Sequence, residues 1–228
     1  MRKVAIITGA SSGIGREFAL QIAQRYRTIE EIWLIARRKD RLAEVKTEIN
    51  AVSGKLVRIL ALELTDETDI KVYRNLLERQ APSIRVLVNA AGYGIAGHFE
   101  NMTVDDVTGM LNLNCRALVA ITHISLPYMS GPSNIINLAS SAAFLPQPSF
   151  AIYAASKSMV LSFSRALNRE LEEKGITVTA VCPGPVKTEF FDVAQKYTKS
   201  KPYKMILRAD PVKVVKKALF DAYYMSDI

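Results

Sequence analysis

Cysteine is scarce in this chain of 228 residues. Cys115 and Cys182 are its only two cysteines, and they lie far apart, each beside apolar segments. Two such residues form neither a disulfide framework nor a metal-binding motif. The sequence therefore predicts no metal site, and the absence of a disulfide pattern favours a reducing, cytoplasmic location.

Long apolar runs are also absent. No uninterrupted stretch reaches the ~18 residues that a membrane-spanning helix needs. At the N-terminus, Arg2 and Lys3 precede only a brief apolar segment before Gly9, which is too short for the core of a signal peptide. We therefore expect neither a membrane span nor a secretory leader.

Charge is missing from one long segment of the chain. Residues 117–156 contain no Asp, Glu, Lys or Arg. Prolines and glycines interrupt this segment, which favours a helix, a turn, a strand and a loop in succession. A stretch of this length without charge belongs in the middle of a protein or in an interface.

Basic residues predominate elsewhere, and the chain carries a formal net charge of +8. No basic motif interleaved with aromatic residues supports nucleic-acid binding, so we expect no nucleic-acid partner. The favoured interpretation is a mostly solvated surface that helps to attract an anionic cofactor or substrate. The basic residues cluster in and just after one long connection, at Lys196, Lys199, Lys201, Lys204, Arg208, Lys213, Lys216 and Lys217.

What the sequence does contain is an alternation of two kinds of segment. Short runs rich in Val, Ile and Leu alternate with longer segments of helical periodicity, which indicates an α/β protein with a doubly wound parallel sheet. The length fits a single domain, residues 1–228, and the one long connection, 183–210, is typical of a substrate-side loop. Strands are predicted near 3–8, 31–36, 56–61, 84–89, 134–139 and 176–181, and helices near 14–26, 40–52, 66–80, 103–128, 153–174 and 211–224.

A glycine-rich segment follows the first predicted strand. Thr8-Gly9-Ala10-Ser11-Ser12-Gly13-Ile14-Gly15 comes directly after the apolar run 4–7. Its three glycines permit a tight turn, let the backbone approach a pyrophosphate and let the next helix pack closely on the strand. That helix directs its free N–H groups and positive dipole end at the anion. The alternative is a glycine-rich turn with no ligand.

Two arginines end the second predicted strand. A site that prefers NAD usually carries Asp or Glu at this point to bind the ribose 2′-hydroxyl. Arg37 and Arg38 stand there instead, and a guanidinium binds a 2′-phosphate through forked hydrogen bonds. The pattern favours NADP(H) over NAD(H). The alternative is a solvated basic turn that opens the helix at Asp40.

Four polar residues downstream suggest acid–base chemistry. Tyr153 and Lys157 share one helix face, where a lysine cation would lower the pKa of the phenol. Ser140 ends a predicted strand, at the sheet edge where α/β proteins bind ligands. Asn114 lies in a largely apolar helix, where its amide can hold a water and relay protons from Lys157. The alternatives are an ordinary helix-face Tyr and Lys, a helix-kinking Asn and a strand-capping Ser.

Together these motifs resemble those of the short-chain dehydrogenase/reductase family, of the compact single-domain kind with a Rossmann fold. The resemblance extends from residue 3 to about 188 and also covers Asn89-Ala90-Ala91-Gly92, with Ala90 in place of a second Asn, and Pro183-Gly184 with Thr188. It implies that Tyr153 donates a proton to the substrate carbonyl and that Lys157 also binds the nicotinamide ribose.

The resemblance also implies that Ser140 orients the carbonyl and that Asn114 supports the proton relay. The implied catalytic residues are thus Asn114, Ser140, Tyr153 and Lys157. The implied cofactor-binding residues are Gly9, Ser11, Ser12, Gly13, Ile14, Gly15, Arg37, Arg38, Glu63, Leu64, Asn89, Ala90, Ala91, Gly92, Tyr153, Lys157, Pro183, Gly184, Val186 and Thr188.

Two departures from the family pattern stand out. Glu63-Leu64 ends the third predicted strand where the family usually has Asp for the adenine amine, and we expect Glu63 to substitute. The chain ends at Ser226-Asp227-Ile228, where the family usually continues into a further strand and a tail over the substrate pocket. We expect that C-terminal strand and tail to be missing from this sequence.

Two functions remain open at this stage. One is an NADP(H)-dependent carbonyl reductase or alcohol dehydrogenase that acts on a small molecule; the other is a non-catalytic NADP(H)-binding sensor or scaffold. The resemblance places a helix-pair interface at the predicted helices 103–128 and 153–174, so we expect a homodimer or homotetramer. His98 is expected at the surface or behind the site, and His123 in the core.

Overall fold

A computed structural model describes residues 1–190, 194–197 and 208–224 of the chain. Its strands are β1 (Lys3–Thr8), β2 (Glu31–Ala36), β3 (Leu56–Ala61), β4 (Ser83–Asn89), β5 (Met129–Leu138) and β6 (Ile176–Val181). They form one sheet in the order β3-β2-β1-β4-β5-β6, and every pairing is parallel. The predicted doubly wound parallel sheet is confirmed.

Helices cover both faces of this sheet. They are α1 (Gly13–Arg25), α2 (Lys39–Val52), α3 (Glu67–Gln80), α4 (Val104–Leu111), α5 (Leu118–Ser125), α6 (Ala151–Leu171) and α7 (Pro211–Tyr224). One apolar layer includes Phe18, Ile22, Leu42 and Leu219, from α1, α2 and α7. The opposite layer includes Tyr73, Leu77, Ile121 and Leu167, from α3, α5 and α6.

The central strands β1 and β2 are apolar over most of their length because both of their faces are buried. In β2, Trp33 and Ile35 face one layer while Ile32 and Leu34 face the other. Alternate side chains of a strand point to opposite faces, so a strand between two helical layers needs apolar residues at successive positions. This explains why short Val- and Ile-rich runs predicted the strands correctly.

The helix predicted over 103–128 is helical from Val104 to Tyr128, but it is not a uniform α-helix. A π-helical turn, Asn112–Ala117, separates α4 from α5, and a short 3₁₀ turn, Leu126–Tyr128, follows α5. Strand β5 begins at Met129, earlier than predicted. π-helical turns insert an extra residue into the helical ladder and often occur at functional sites, and this one contains Asn114.

The topology opens a crevice where the strand order reverses, beside the carboxyl ends of β1 and β4. The hydroxyl of Thr8, the last residue of β1, accepts hydrogen bonds from the backbone N–H groups of Ala90 (3.1 Å) and Ala91 (3.2 Å). The turns after the two strands are therefore held together, and both border the crevice.

Within the described residues, no helix is long and apolar enough to cross a membrane. That part of the chain also contains no cluster of His, Cys, Asp or Glu able to hold a metal ion. Both cysteines are free thiols. The predicted basic residues Lys199, Lys201 and Lys204, and the terminal 226–228, lie outside the described residues.

Candidate functional site

A cleft of about 730 Å³ runs along the carboxyl edge of the sheet. It brings together residues from the turns after all six strands, although these are far apart in the sequence. The predicted site residues that line it are Gly9, Ser11, Ser12, Gly13, Ile14, Gly15, Arg37, Arg38, Glu63, Leu64, Ala90, Ala91, Gly92, Ser140, Tyr153, Lys157, Pro183, Gly184, Val186 and Thr188.

The glycines of the first turn are required by close backbone packing. Gly9 has φ +66°, and a Cβ built on it would lie 2.8 Å from the carbonyl carbon and oxygen of Ala90. A Cβ on Gly15 would collide with the carbonyl oxygen of Gly9. Side chains at these positions would push apart the turn, α1 and the segment after β4, so the cradle depends on glycine.

Helix α1 begins at this cradle without the usual side-chain cap. Ser12 is extended and makes no side-chain cap, and the first turn contains no acidic residue. Helix α3 differs, because Asp66 accepts hydrogen bonds from the backbone N–H groups of Thr68 and Asp69. The start of α1 thus offers its N–H groups and positive dipole end to an external anion. This cradle fits the pyrophosphate of a dinucleotide.

Arg38 joins three sides of the cleft. Its Nη2 donates to the hydroxyls of Ser12 (2.8 Å) and Ser11 (3.3 Å), and its Nη1 pairs with Glu189 at 3.0 Å. Glu189 lies in the segment after β6 and was not predicted as a site residue. The signal that could have indicated it is its place directly after Thr188, in the segment expected beside the nicotinamide.

Arg37 and Glu63 pair with each other at 3.2 Å. The other carboxylate oxygen of Glu63 accepts hydrogen bonds from the backbone N–H (3.2 Å) and hydroxyl (2.9 Å) of Thr65. Glu63 therefore lines the cleft beside Arg37, with both carboxylate oxygens engaged.

Tyr153 and Lys157 lie on the face of α6 that borders the cleft. The Lys157 ammonium donates to the carbonyl oxygen of Leu138 at 2.7 Å and lies 5.8 Å from the centre of the Tyr153 ring. Burial lowers the pKa of Lys157 to about 8, an effect that the charges of Cys115 and Cys182 oppose. A buried lysine with this pKa can exchange a proton near neutral pH.

The pKa of Tyr153 shifts in the direction opposite to the prediction. Burial raises the pKa of the phenol, and its hydrogen bond with Ser140 only partly opposes that shift. The Lys157 ammonium donates its hydrogen bond to the Leu138 carbonyl rather than to the phenol. Desolvation of the phenol therefore determines the direction of the Tyr153 pKa shift. Tyr153 is thus held in its protonated, proton-donating form.

Ser140 follows β5 and starts a short 3₁₀ turn. Its hydroxyl accepts a hydrogen bond from the backbone N–H of Ala142 at 3.2 Å, so the strand-capping interpretation is correct for that contact. The same side chain also bonds the Tyr153 phenol and faces the cleft. Capping and a position that faces the cleft are therefore compatible.

Asn114 lies behind the cleft and clamps the loop after β4. Its Oδ1 accepts from the backbone N–H of Tyr93 (3.0 Å), and its Nδ2 donates to the Tyr93 carbonyl (2.9 Å) and the Ser156 hydroxyl (3.0 Å). Ser156 in turn donates to the Tyr153 carbonyl at 2.7 Å. The amide retains one acceptor position on Oδ1, which leaves the predicted water-binding role open.

Asn89 is buried below the cleft and does not line it. Its Nδ2 donates to the Thr122 hydroxyl and to Oδ1 of Asn137, both at 2.9 Å. These bonds tie β4 to α5 and β5, so Asn89 supports the segment 90–92 from beneath rather than facing the nucleotide cleft.

The end of the cleft beside Tyr153 has aromatic walls. The ring of Tyr153 packs edge-on against Phe150 at 4.8 Å and lies 5.3 Å from Phe190. Ile95 and Tyr93 continue this largely apolar lining. Sequence reasoning did not identify these wall residues, because they come from separate loops and carry no motif.

A charged pair, Asp106 and Lys196, borders the same end of the cleft. The Lys196 ammonium donates to both carboxylate oxygens of Asp106, at 2.8 and 2.7 Å. These bonds hold the pKa of the Asp106 carboxyl below its usual range. The pair links α4 to the described segment 194–197.

Neither histidine belongs to the cleft. His98 is exposed, in agreement with the prediction of a surface position. His123 is exposed as well, so its prediction as a core residue is wrong. It lies on the outer face of α5, whose neighbours Ile121 and Thr122 are buried.

Comparison with known proteins agrees with this geometry. The model of the short chain dehydrogenase family matches residues 3–198. An uncharacterized oxidoreductase of Staphylococcus epidermidis is 30% identical over 188 residues, which cover 82% of this chain and 79% of that protein.

Solved structures are similar over nearly the whole chain. A short-chain dehydrogenase from Sphingobium yanoikuyae in complex with NADPH has a TM-score of 0.86 and 30% identity, covering 100% of this chain and 86% of that one. The bulky-bulky ketone specific alcohol dehydrogenase from Comamonas testosteroni has a TM-score of 0.80 and 28% identity, covering 97% and 82%.

Proposed function

This chain belongs to the short-chain dehydrogenase family, and from that premise we propose that it is an NADP(H)-dependent oxidoreductase that interconverts a carbonyl compound and a secondary alcohol. The observation that carries the proposal is the convergence of Ser140, Tyr153 and Lys157 on a cleft that also contains the glycine cradle. A proton donor and a dinucleotide site in one cleft are what carbonyl reduction requires.

Binding of a nicotinamide dinucleotide is supported by two neighbouring features of the cleft. The uncapped start of α1 suits the pyrophosphate, and Arg37 and Arg38 suit a 2′-phosphate. The relative from Sphingobium yanoikuyae is itself a complex with NADPH. When bound, the nicotinamide supplies or accepts the hydride.

The chain's own residues supply and place the proton. Tyr153, kept protonated by burial, donates from its phenol oxygen to the carbonyl oxygen of the substrate. Ser140 donates to the same oxygen and favours its developing negative charge. Lys157, with a pKa of about 8, can return a proton towards the phenol and binds the nicotinamide ribose.

The substrate end favours an apolar carbonyl compound. Phe150, Phe190 and Ile95 exclude water around the Tyr153 phenol, and burial of apolar substrate surface is worth about 25 cal/mol per Å². The relative from Comamonas testosteroni is described as specific for ketones with two bulky groups, which is consistent with such a pocket.

We also propose a homodimer or homotetramer, formed through α4 and α6. Val104 on α4 is 76% exposed, and Leu111 and Met159 are each 38% exposed. Apolar side chains of this size on neighbouring helices suit a symmetric interface. Sedimentation at micromolar protein should show an oligomer; a monomer would contradict this part of the proposal.

A panel of ketones and aldehydes tests the main proposal. NADPH consumption should be seen with at least one bulky apolar ketone and should require the Tyr153 hydroxyl. If NADPH binds but no carbonyl compound in a broad panel is reduced, the alternative of a non-catalytic NADP(H) sensor or scaffold replaces the enzyme. The cytoplasmic location remains a prediction from the free cysteines.

A further inference from the structure

Both arginines at the end of β2 are already paired with carboxylates. Arg37 pairs with Glu63, its neighbour at the adenosine end, whereas Arg38 pairs with Glu189 from the far wall of the cleft. Arg38 precedes α2 and Glu189 follows β6, 151 residues later in the sequence. This second pair joins the two walls of the cleft beside the glycine cradle.

The segment that carries Glu189 is held at this position by packing. Thr188, the preceding residue, would have its Cγ2 only 3.1 Å from a Cβ on Gly13. Val186 pairs with Ala209 in a parallel bridge, and the N–H of Lys187 donates to the Ala209 carbonyl at 3.0 Å. These contacts hold the backbone beside Glu189 in place, within reach of Arg38 for its side chain.

The two partners of Arg38 act differently on an incoming cofactor. The hydroxyls of Ser11 and Ser12 are neutral and orient one arm of the guanidinium. Glu189 occupies the other arm with a full negative charge. A 2′-phosphate needs that arm, so Glu189 competes with the phosphate for the arginine.

We propose that Glu189 is a specificity-determining residue that weakens the preference for a 2′-phosphorylated cofactor by competing for Arg38. The inference rests on the proposed binding of a dinucleotide with its 2′-phosphate at Arg38. NADH carries a hydroxyl at that position and leaves the ion pair in place, so the penalty falls on NADPH alone.

The opposite role, in which Glu189 orients Arg38 for the phosphate, predicts a change of opposite sign. The serine contacts at 2.8 and 3.3 Å hold the guanidinium without the carboxylate. Both side chains of the ion pair are about half exposed, at 47% and 49%, so the pair contributes little to stability and its loss leaves the fold intact.

The test compares Glu189→Gln with the wild-type protein by calorimetric titration of the cofactor-free protein with NADPH and with NADH. The NADPH Kd should fall roughly two- to fivefold, while the NADH Kd should stay unchanged. The advantage should disappear when Arg38→Ala is combined with Glu189→Gln. Glu67→Gln is the matched control, since it removes an exposed carboxylate paired with Arg116 outside the cleft.

The outcomes separate this inference from the proposed function. Equal or weaker NADPH binding by Glu189→Gln, or an equal gain for NADH, would overturn the role of Glu189 and leave the oxidoreductase proposal standing. A wild-type protein that binds neither dinucleotide would overturn both. Gain of NADPH binding that persists without Arg38 would also refute competition for that arginine.

Discussion

Lys157 donates its ammonium proton to the Leu138 carbonyl at 2.7 Å. This bond ties the middle of α6 to the end of β5, the strand that leads into Ser140. It also accounts for a lysine that is almost fully buried without an ion-pair partner in the described part of the chain. The ammonium is stabilised by a backbone dipole, and the lysine still lines the cleft.

Replacing Tyr153 with Phe should slow turnover strongly with little effect on the fold. The ring contacts with Phe150 and Phe190 are retained, while the proton donor is lost. General acid catalysis typically contributes ~10²–10⁴-fold, and kcat for ketone reduction should fall by about that factor. NADPH affinity, measured by titration, should be unchanged. Reduction at the wild-type rate would require a different proton donor.

Lys157→Met should change the pH dependence of stability. Below pH about 8 the lysine is charged in both folded and unfolded protein, so the full cost of burying the charge is present. Between about 8 and its usual 10.5 the folded form is neutral while the unfolded form stays charged. The wild-type protein should therefore gain stability relative to the variant as pH rises through this window, on the order of 3 kcal/mol.

Urea denaturation of the cofactor-free proteins at the two ends of that window measures this gain. A difference in free energy of unfolding between wild type and Lys157→Met that does not vary with pH would contradict the lowered pKa.

The same variant should also bind NADPH more weakly, because Lys157 is proposed to hold the nicotinamide ribose. Tyr153→Phe should show no such loss of binding.

Removing Arg37 and Arg38 together should erase the preference for NADPH. The wild-type protein should bind NADPH at least roughly tenfold more tightly than NADH, because only NADPH carries the phosphate that both guanidinium groups can bind. The double Ala variant should bind both cofactors with similar affinity in fluorescence titrations. Arg41→Ala, which removes an exposed arginine from α2, the helix that follows Arg38, should leave the ratio intact. Equal wild-type affinities would refute the assignment.

Gly9→Ala should destabilise the protein strongly. Its φ of +66° and the Ala90 backbone 2.8 Å from the new Cβ leave the methyl group no space, which should cost about 2 kcal/mol or more. Gly54→Ala provides the control, because no atom lies within 4 Å of its Cβ position, and it should change stability by less than about 0.5 kcal/mol. Equal effects in urea denaturation would contradict the tight cradle.

The sequence by itself determined the fold class and the floor of the site. Runs such as β1 and β2 are apolar at successive positions because both faces are covered, so composition alone located them. The cradle at Gly9–Gly15 and the four-residue spacing of Tyr153 and Lys157 depend on local backbone geometry. Each is set by residues close together in the chain, and each could therefore be recognised from the sequence.

Tertiary structure alone decided which polar groups face the cleft and which charges oppose one another. The buried Asn89 side chain on β4 bonds Asn137 on the neighbouring strand β5, and the His123 side chain is exposed to solvent rather than packed in the core. Burial, not the nearby lysine, set the direction of the Tyr153 pKa. The pairing of Arg38 with Glu189 joins residues 151 positions apart. Such a contact depends on how the sheet brings distant turns together, and a local sequence pattern does not contain that information.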